Sequence, residues 1–260
     1  MELKDTVAII TGAARGIGRG IAQSLAREGA HVVIADLPPL QEEMERTGAL
    51  VEGEGAQALL VHCDVRESSQ VSALAQAALD RFGRIDVLVN NAGVISVAPV
   101  ASMSEEEWDR VLAVNLKGTF LCSKAVVPHM VERRAGRIVN ISSVAGKRGQ
   151  PGLAHYCASK FAVIGLTQTL ALELASSNVT VNAVCPGEVD SAMWREQLLP
   201  ALAAARGGTP EEAWERFTRE RVPLGRPQTA EDIGQAVVFL CRADNITGAT
   251  INVNGGSELG

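Results

Sequence analysis

The chain has 260 residues, 47% hydrophobic and 21% charged, and a net charge of −6. That length suits one α/β domain, residues 1–260, with a core large enough to need no staples. The acidic balance and the lack of any Lys/Arg block argue against a nucleic-acid partner.

The predicted elements alternate. Residues 6–11 (TVAIIT) form an apolar run that stops at Gly12, and residues 15–29 follow with helical spacing at Ile17, Ile21 and Leu25. A second strand is expected over 31–36 (HVVIAD), then a polar helix, a third strand over 58–62 and a third helix over 67–82. Residues 85–90 (IDVLVN) read as the fourth strand. Residues 105–134 read as two helical stretches interrupted near 115–118, and residues 137–142 (RIVNIS) as the fifth strand. One long helix is expected over 155–176, a sixth strand over 179–185, a last helix over 230–242 and a short seventh strand over 250–253.

Runs that are apolar throughout, alternating with helices, predict a parallel sheet covered on both faces: a doubly wound α/β fold. Residues 190–225 break the rhythm and carry Met193, Trp194, Leu198, Leu199, Trp214 and Phe217. They read as two short amphipathic helices forming a substrate lid over the carboxyl ends of the strands.

The N-terminus runs straight into an apolar segment with no signal-peptide plan, and no stretch reads as long and apolar enough to span a bilayer. A cytoplasmic location without a membrane partner is therefore expected. The five cysteines and four histidines are scattered without metal-ligand spacing, so no metal site is expected.

The turn after the first strand reads Gly12-Ala13-Ala14-Arg15-Gly16-Ile17-Gly18. Glycines there let backbone approach a pyrophosphate, and the following helix offers N–H groups and a positive dipole end. Asp36 ends the second strand, where a carboxylate can accept both adenosine ribose hydroxyls and would repel a 2′-phosphate. Leu37 supplies no cation for such a phosphate, so NAD is expected over NADP. Arg15 is the counterargument, because it lies near enough to reach a phosphate.

Tyr156-Cys157-Ala158-Ser159-Lys160 lies on the long helix, where positions i and i+4 share a face. A tyrosine titrates near 10 and a fixed cation beside it favours phenolate, so a lowered Tyr156 pKa is expected. Tyr156 is the only tyrosine in the chain. Ser142 ends the fifth strand and Ser143 follows it, and either hydroxyl can donate to a carbonyl oxygen as charge develops on it. Asn90-Asn91-Ala92-Gly93 ends the fourth strand, and Asp64-Val65 follows the third, where it would face adenine.

Together, in this order, these motifs resemble the short-chain dehydrogenase/reductase family over essentially the whole chain. The pieces are Thr11-Gly12-x-x-x-Gly16-Ile17-Gly18, Asp36, Asp64-Val65, Asn90 to Gly93, Asn115, Ser143, Tyr156-x-x-x-Lys160 and Pro186-Gly187. The resemblance implies a Rossmann sheet ordered 3-2-1-4-5-6-7. It implies a catalytic set of Asn115, Ser143, Tyr156 and Lys160, the family spacing favouring Ser143 over Ser142. Tyr156 would pass the proton, Ser143 would bind substrate oxygen, Lys160 would bind the nicotinamide ribose, and Asn115 would hold a relay water. Pro186, Gly187, Val189 and Ser191 would face the nicotinamide.

The family also implies a homotetramer, and the long helix carries apolar surface on more than one face. The stretch from Pro186 to Trp194 resembles the polyol and butanediol (acetoin) dehydrogenase branch, with Met193 and Trp194 starting the lid. Glu188 stands where that branch has an apolar residue. It either faces the pocket and accepts hydrogen bonds from substrate hydroxyls or is a solvated loop carboxylate. The expected function is NAD-dependent interconversion of a polyol or vicinal diol and its ketone. A reductase of 3-oxoacyl thioesters and a nicotinamide-binding regulator without turnover are the alternatives.

Overall fold

The computed structural model describes residues 1–191, 194–200, 203 and 207–259. Seven strands form one parallel sheet ordered β3-β2-β1-β4-β5-β6-β7. They are β1 Val7–Thr11, β2 His31–Asp36, β3 Ala58–His62, β4 Val87–Asn90, β5 Gly136–Ile141, β6 Val179–Pro186 and β7 Thr250–Val253. The helices are α1 Gly16–Arg27, α2 Gln41–Gly53, α3 Ser68–Phe82, α4 Glu105–Leu112, α5 Gly118–Arg133, α6 Ala154–Leu174, α7 Pro210–Arg221 and α8 Ala230–Arg242. Each expected strand forms, with ends within two residues of the sequence reading.

Alternation explains why the strand sequences are apolar throughout. Ala8 and Ile10 of β1, with Val32 and Ile34 of β2, join the core beneath α1, α2 and α8. Val7, Ile9, Val33 and Ala35 point the other way, into the core beneath α3, α5 and α6. Successive side chains serve opposite faces, and both faces are covered, so neither can be polar.

Helices α1 and α8 pack closely because Gly20 offers no side chain: a Cβ there would come within 2.5 Å of the Ala230 Cβ. Capping boxes fix the starts of α7 (Thr209 with Glu212) and α8 (Thr229 with Asp232).

The interruption expected near 115–118 takes the form of a π turn, Ala113–Lys117, between α4 and α5. The Thr119 hydroxyl donates to the Asn115 carbonyl oxygen of this turn at 2.8 Å. One sequence expectation is corrected. The helical run Glu105–Arg133 is, by length and composition, apolar enough to cross a bilayer. Its apolar residues Cys122, Val126 and Met130 lie in the core under the sheet, which accounts for that composition.

Within the expected lid, the described residues form a π turn, Trp194–Leu198, and helix α7. Trp194, Trp214 and Phe217 pack as one aromatic cluster, with ring centroids 4.8 Å apart for the Trp194–Trp214 pair and 5.4 Å for Trp194–Phe217. Met193 lies outside the described residues.

Candidate functional site

The strand order reverses between β1 and β4, so the loops after them part, and a cleft of about 460 Å³ opens over the carboxyl ends of the sheet. The chain leaves β1 through Gly12 at φ +65° and enters α1 through Gly16 at φ +57°. Both values lie in the left-handed region that side chains disfavour. A Cβ on Gly12 would stand 2.8 Å from the Ala92 Cα, and one on Gly18 would stand 2.2 Å from the Gly12 carbonyl oxygen. Bare backbone is what lets the turn close on the helix and on the β4 loop. Arg15 places no side-chain cap on α1, so the orphan N–H groups of its first turn remain for an anion in the cleft.

The Asp36 carboxylate ends β2 beside this turn. One oxygen accepts the Ala14 N–H at 2.9 Å and the other accepts the Leu37 N–H at 2.9 Å. A carboxylate has about four acceptor positions. Two are thus left to meet hydroxyls in the cleft. Arg15 is engaged elsewhere, its guanidinium 3.2 Å from the Glu196 carboxylate. Asp64 is likewise paired, with Arg66, whose guanidinium holds its carboxyl below the usual range.

The β4 loop is tied to the glycine turn. The Asn91 side-chain amide donates to the Thr11 and Gly12 carbonyls, both at 2.9 Å, and the Thr11 hydroxyl accepts the Asn91 and Ala92 N–H groups. Asn115 holds the next stretch. Its carbonyl oxygen accepts the Val94 N–H at 2.8 Å, and its amide donates to the Val94 carbonyl and the Ser159 hydroxyl, both at 3.0 Å. The widened helical turn is what aims this buried amide at the loop.

Ser142 and Ser143 separate clearly. The Ser142 hydroxyl is buried and donates to the Lys160 carbonyl at 2.9 Å, locking β5 to α6. The Ser143 hydroxyl accepts the Ala145 N–H at 3.1 Å and hydrogen-bonds the Tyr156 phenol. Tyr156 and Lys160 project from one face of α6, with the Lys160 ammonium 5.7 Å from the phenol ring centroid. That ammonium is buried and donates to the Ile141 carbonyl at 2.8 Å.

The electrostatics correct the sequence reading of Tyr156. Burial pushes the phenol up to about 12, opposed by the Ser143 hydrogen bond, and burial brings Lys160 down to about 8. Desolvation disfavours the charged form of each group, and at Tyr156 it outweighs the Ser143 hydrogen bond. In the cofactor-free chain the phenol is therefore a proton donor at neutral pH.

Most sequence candidates line this one cleft: Gly12, Arg15, Gly16, Ile17, Asp36, Leu37, Asp64, Val65, Asn91, Ala92 and Gly93 on one side, with Ser143, Tyr156, Lys160, Pro186, Gly187, Glu188, Val189, Ser191 and Trp194 on the other. Gly18 lies beneath the glycine turn and Asn115 behind Gly93. Glu188 is 3% exposed, and its Oε2 has no hydrogen-bond partner. Sequence reasoning missed Val94, Ile95, Val114, Gln150 and Leu153 in the lining. They sit in loops, at the start of α6 and in the π turn, and their residue types carry no catalytic signal. No group of acids, cysteines and histidines able to hold a metal occurs among the described residues.

The glycine cradle, the free helix start and the available Asp36 acceptors fit a dinucleotide. The Ser143–Tyr156–Lys160 cluster fits proton exchange with an alcohol or carbonyl oxygen. Known proteins agree. The family profile described as "short chain dehydrogenase" matches residues 6–200. The chain is 41% identical to galactitol 2-dehydrogenase of Agrobacterium fabrum, over 100% of both chains. It is 40% identical to the 3-oxoacyl-(acyl-carrier-protein) reductase FabG of Thermotoga maritima, over 98% of this chain and 99% of that one. Among solved structures, the actinorhodin polyketide ketoreductase with NADPH superposes with a TM-score of 0.92 at 39% identity, covering 97% of each chain. Levodione reductase superposes with a TM-score of 0.90 at 33% identity, again over 97% of each. In sheet order, cleft and sequence alike, this chain belongs to the short-chain dehydrogenase family of oxidoreductases.

Proposed function

We propose that the protein is an NAD-dependent oxidoreductase that interconverts a polyol or vicinal diol and its ketone, with Tyr156 as the proton-exchanging group. Residues 1–260 act as one oxidoreductase domain, and residues 190–225 as its substrate lid. The observation that carries the substrate class is Glu188. A buried carboxylate oxygen without a partner, in the same cleft as Tyr156 and Ser143, is costly unless a ligand donates to it. A second hydroxyl beside the reacting carbon provides that donor.

Gly12, Gly16 and Ile17 would hold the pyrophosphate, Asp36 the adenosine ribose, and Asp64 and Val65 the adenine. Asn91 to Gly93, Lys160, Pro186, Gly187, Val189 and Ser191 would hold the nicotinamide half. Bound nicotinamide supplies the hydride acceptor in oxidation and the hydride donor in reduction. In oxidation Tyr156 first gives its own proton to the outward relay and the phenolate then takes the hydroxyl proton, and in reduction the phenol gives its proton to the carbonyl oxygen. Ser143 donates a hydrogen bond to that same oxygen as negative charge gathers on it. Lys160 keeps a cation beside the phenol, and Asn115 holds the loop and a water that passes the proton outward. Trp194 completes the substrate side.

Asp36 supports NAD because its carboxylate faces a 2′-phosphate with like charge, while Leu37 offers no cation. The five free thiols are all buried, in keeping with a reducing, cytoplasmic location. Phe120 on α5 and Phe161 on α6, 46% and 47% exposed, give a homotetramer its apolar contact faces. A second reading, reduction of 3-oxoacyl thioesters, is favoured by the likeness to the Thermotoga maritima reductase. Glu188 weighs against it, because a 3-oxoacyl group has no hydroxyl to offer a buried carboxylate.

The test compares a vicinal diol with the matching monoalcohol in wild type and Glu188→Ala. Loss of a hydrogen bond to a charged group, about 1.5–3 kcal/mol, should lower kcat/KM for the diol by about 10- to 150-fold and leave the monoalcohol within a few-fold. Equal rates for wild type and variant on the diol would remove Glu188 from substrate binding and the polyol reading with it.

A further inference from the structure

We infer that His155, braced by Ser96 and Glu107, is a positioning residue that fixes Tyr156 at the head of α6. The inference rests on the reading of Tyr156 as the proton-exchanging group. The first turn of a helix leaves N–H groups without partners, and a side chain at the N-cap normally accepts one from the third helical residue. Here the N-cap is Leu153, which makes no side-chain cap. The third helical residue is Tyr156 itself. Its N–H is taken instead by the Nδ1 of His155 at 2.9 Å. The ring thus does the work of the missing cap, at the residue whose placement matters most.

The acceptor role fixes the tautomer. With Nδ1 unprotonated, Nε2 carries the hydrogen and donates to the Ser96 hydroxyl at 2.8 Å. Ser96 in turn hydrogen-bonds the Glu107 carboxylate, which Arg110 holds through two contacts at 2.7 and 2.9 Å. His155 has no solvent exposure, and burial keeps its pKa below the ordinary value, assisted by Arg110 and opposed by Glu107. A neutral ring also suits a helix N-terminus, where a cation would meet the positive end of the dipole. The polar chain joins three elements: the loop after β4, helix α4 and the start of α6. Each would let Tyr156 shift if its link were cut, and displacements of about 1 Å in a reacting group can cost roughly 100-fold in rate.

Two variants divide the functions of the ring. His155→Asn keeps an acceptor near the Nδ1 position and loses reach to Ser96. His155→Gln keeps the reach and loses the acceptor. We expect His155→Gln to lower kcat by about tenfold or more, with the NADH dissociation constant, read by fluorescence, within twofold of wild type. His155→Asn should recover most of that loss. Wild-type kcat in His155→Gln, equal loss in both variants, or loss matched by weaker NADH binding would each overturn the assignment. Circular dichroism checks that the variants fold. If His155→Gln does not fold, Ser96→Ala decides: lowered kcat at unchanged NADH binding supports the role, and wild-type kcat refutes it. Tyr156→Phe runs alongside, and if it keeps full activity, the reading of Tyr156 fails regardless of His155.

Discussion

Replacing Asp36 by Ser and Leu37 by Arg should turn the cofactor preference around. The Asp36 carboxylate already accepts two backbone N–H groups at 2.9 Å, and its remaining acceptor positions are what a ribose diol would use. Hydrogen bonds to a charged acceptor are worth about 1.5–3 kcal/mol, so their loss should lower kcat/KM for NAD by about 10- to 150-fold. Serine retains one hydroxyl to accept a backbone N–H, which limits damage to the glycine turn. On the NADP side, the like charge disappears and an Arg takes the place of Leu37, which is 43% exposed. A pair in that much solvent adds about 1 kcal/mol at most. Together these shift the NAD-to-NADP ratio of kcat/KM by about 100-fold or more toward NADP. The assay is initial rate at 340 nm with each dinucleotide at a fixed alcohol concentration. A wild type that prefers NADP, or a ratio that moves less than threefold in the double variant, would refute the reasoning about Asp36.

Other predictions follow from the same geometry. Gly12→Ala must place a Cβ 2.8 Å from Ala92 at a positive φ, so it should lower Tm and weaken NADH binding by about tenfold or more, read by fluorescence titration. Lys160 is held near 8 in the folded chain against 10.5 for the free group, so the folded state binds fewer protons between those values. Stability therefore rises with pH across that window, by up to about 3 kcal/mol. Tyr156, raised to about 12, contributes a loss only above about 10. The Tm of wild type should rise relative to that of Lys160→Met from pH 8 to 10 in differential scanning fluorimetry, and a constant difference would contradict the placement of Lys160.

How far the sequence discloses the molecule depends on which forces act locally. The strands were legible because a parallel sheet buried on both faces demands apolar residues at every position, as in VAIIT and HVVIAD. The break in the long helical stretch was legible at Asn115, though not its form, a π turn. Cleft residues at the ends of β1, β2, β4, β5 and β6 were legible because strand ends converge there whatever the loops do. The sign of the Tyr156 shift was not. A cation four residues away is visible in sequence, but the desolvation that raises the phenol depends on tertiary packing that is not. Local sequence alone left Ser142 and Ser143 open and the family spacing favoured Ser143, while the fold shows that the Ser142 hydroxyl turns back to the Lys160 carbonyl. Nor could the sequence reveal that His155 caps its own helix, because that role appears only once Leu153 takes the N-cap position.

The central claim is NAD-linked oxidation of a polyol through Tyr156. The most direct measurement is NAD reduction by wild type and Tyr156→Phe over a panel of polyols and vicinal diols, with NADH binding measured in both. Wild type should turn over a polyol with NAD, and the variant should lose about 10³-fold or more of that rate at unchanged NADH affinity. Retained turnover in Tyr156→Phe would contradict the central claim, as would silence on the whole panel with NADPH-driven reduction of a 3-oxoacyl thioester in its place.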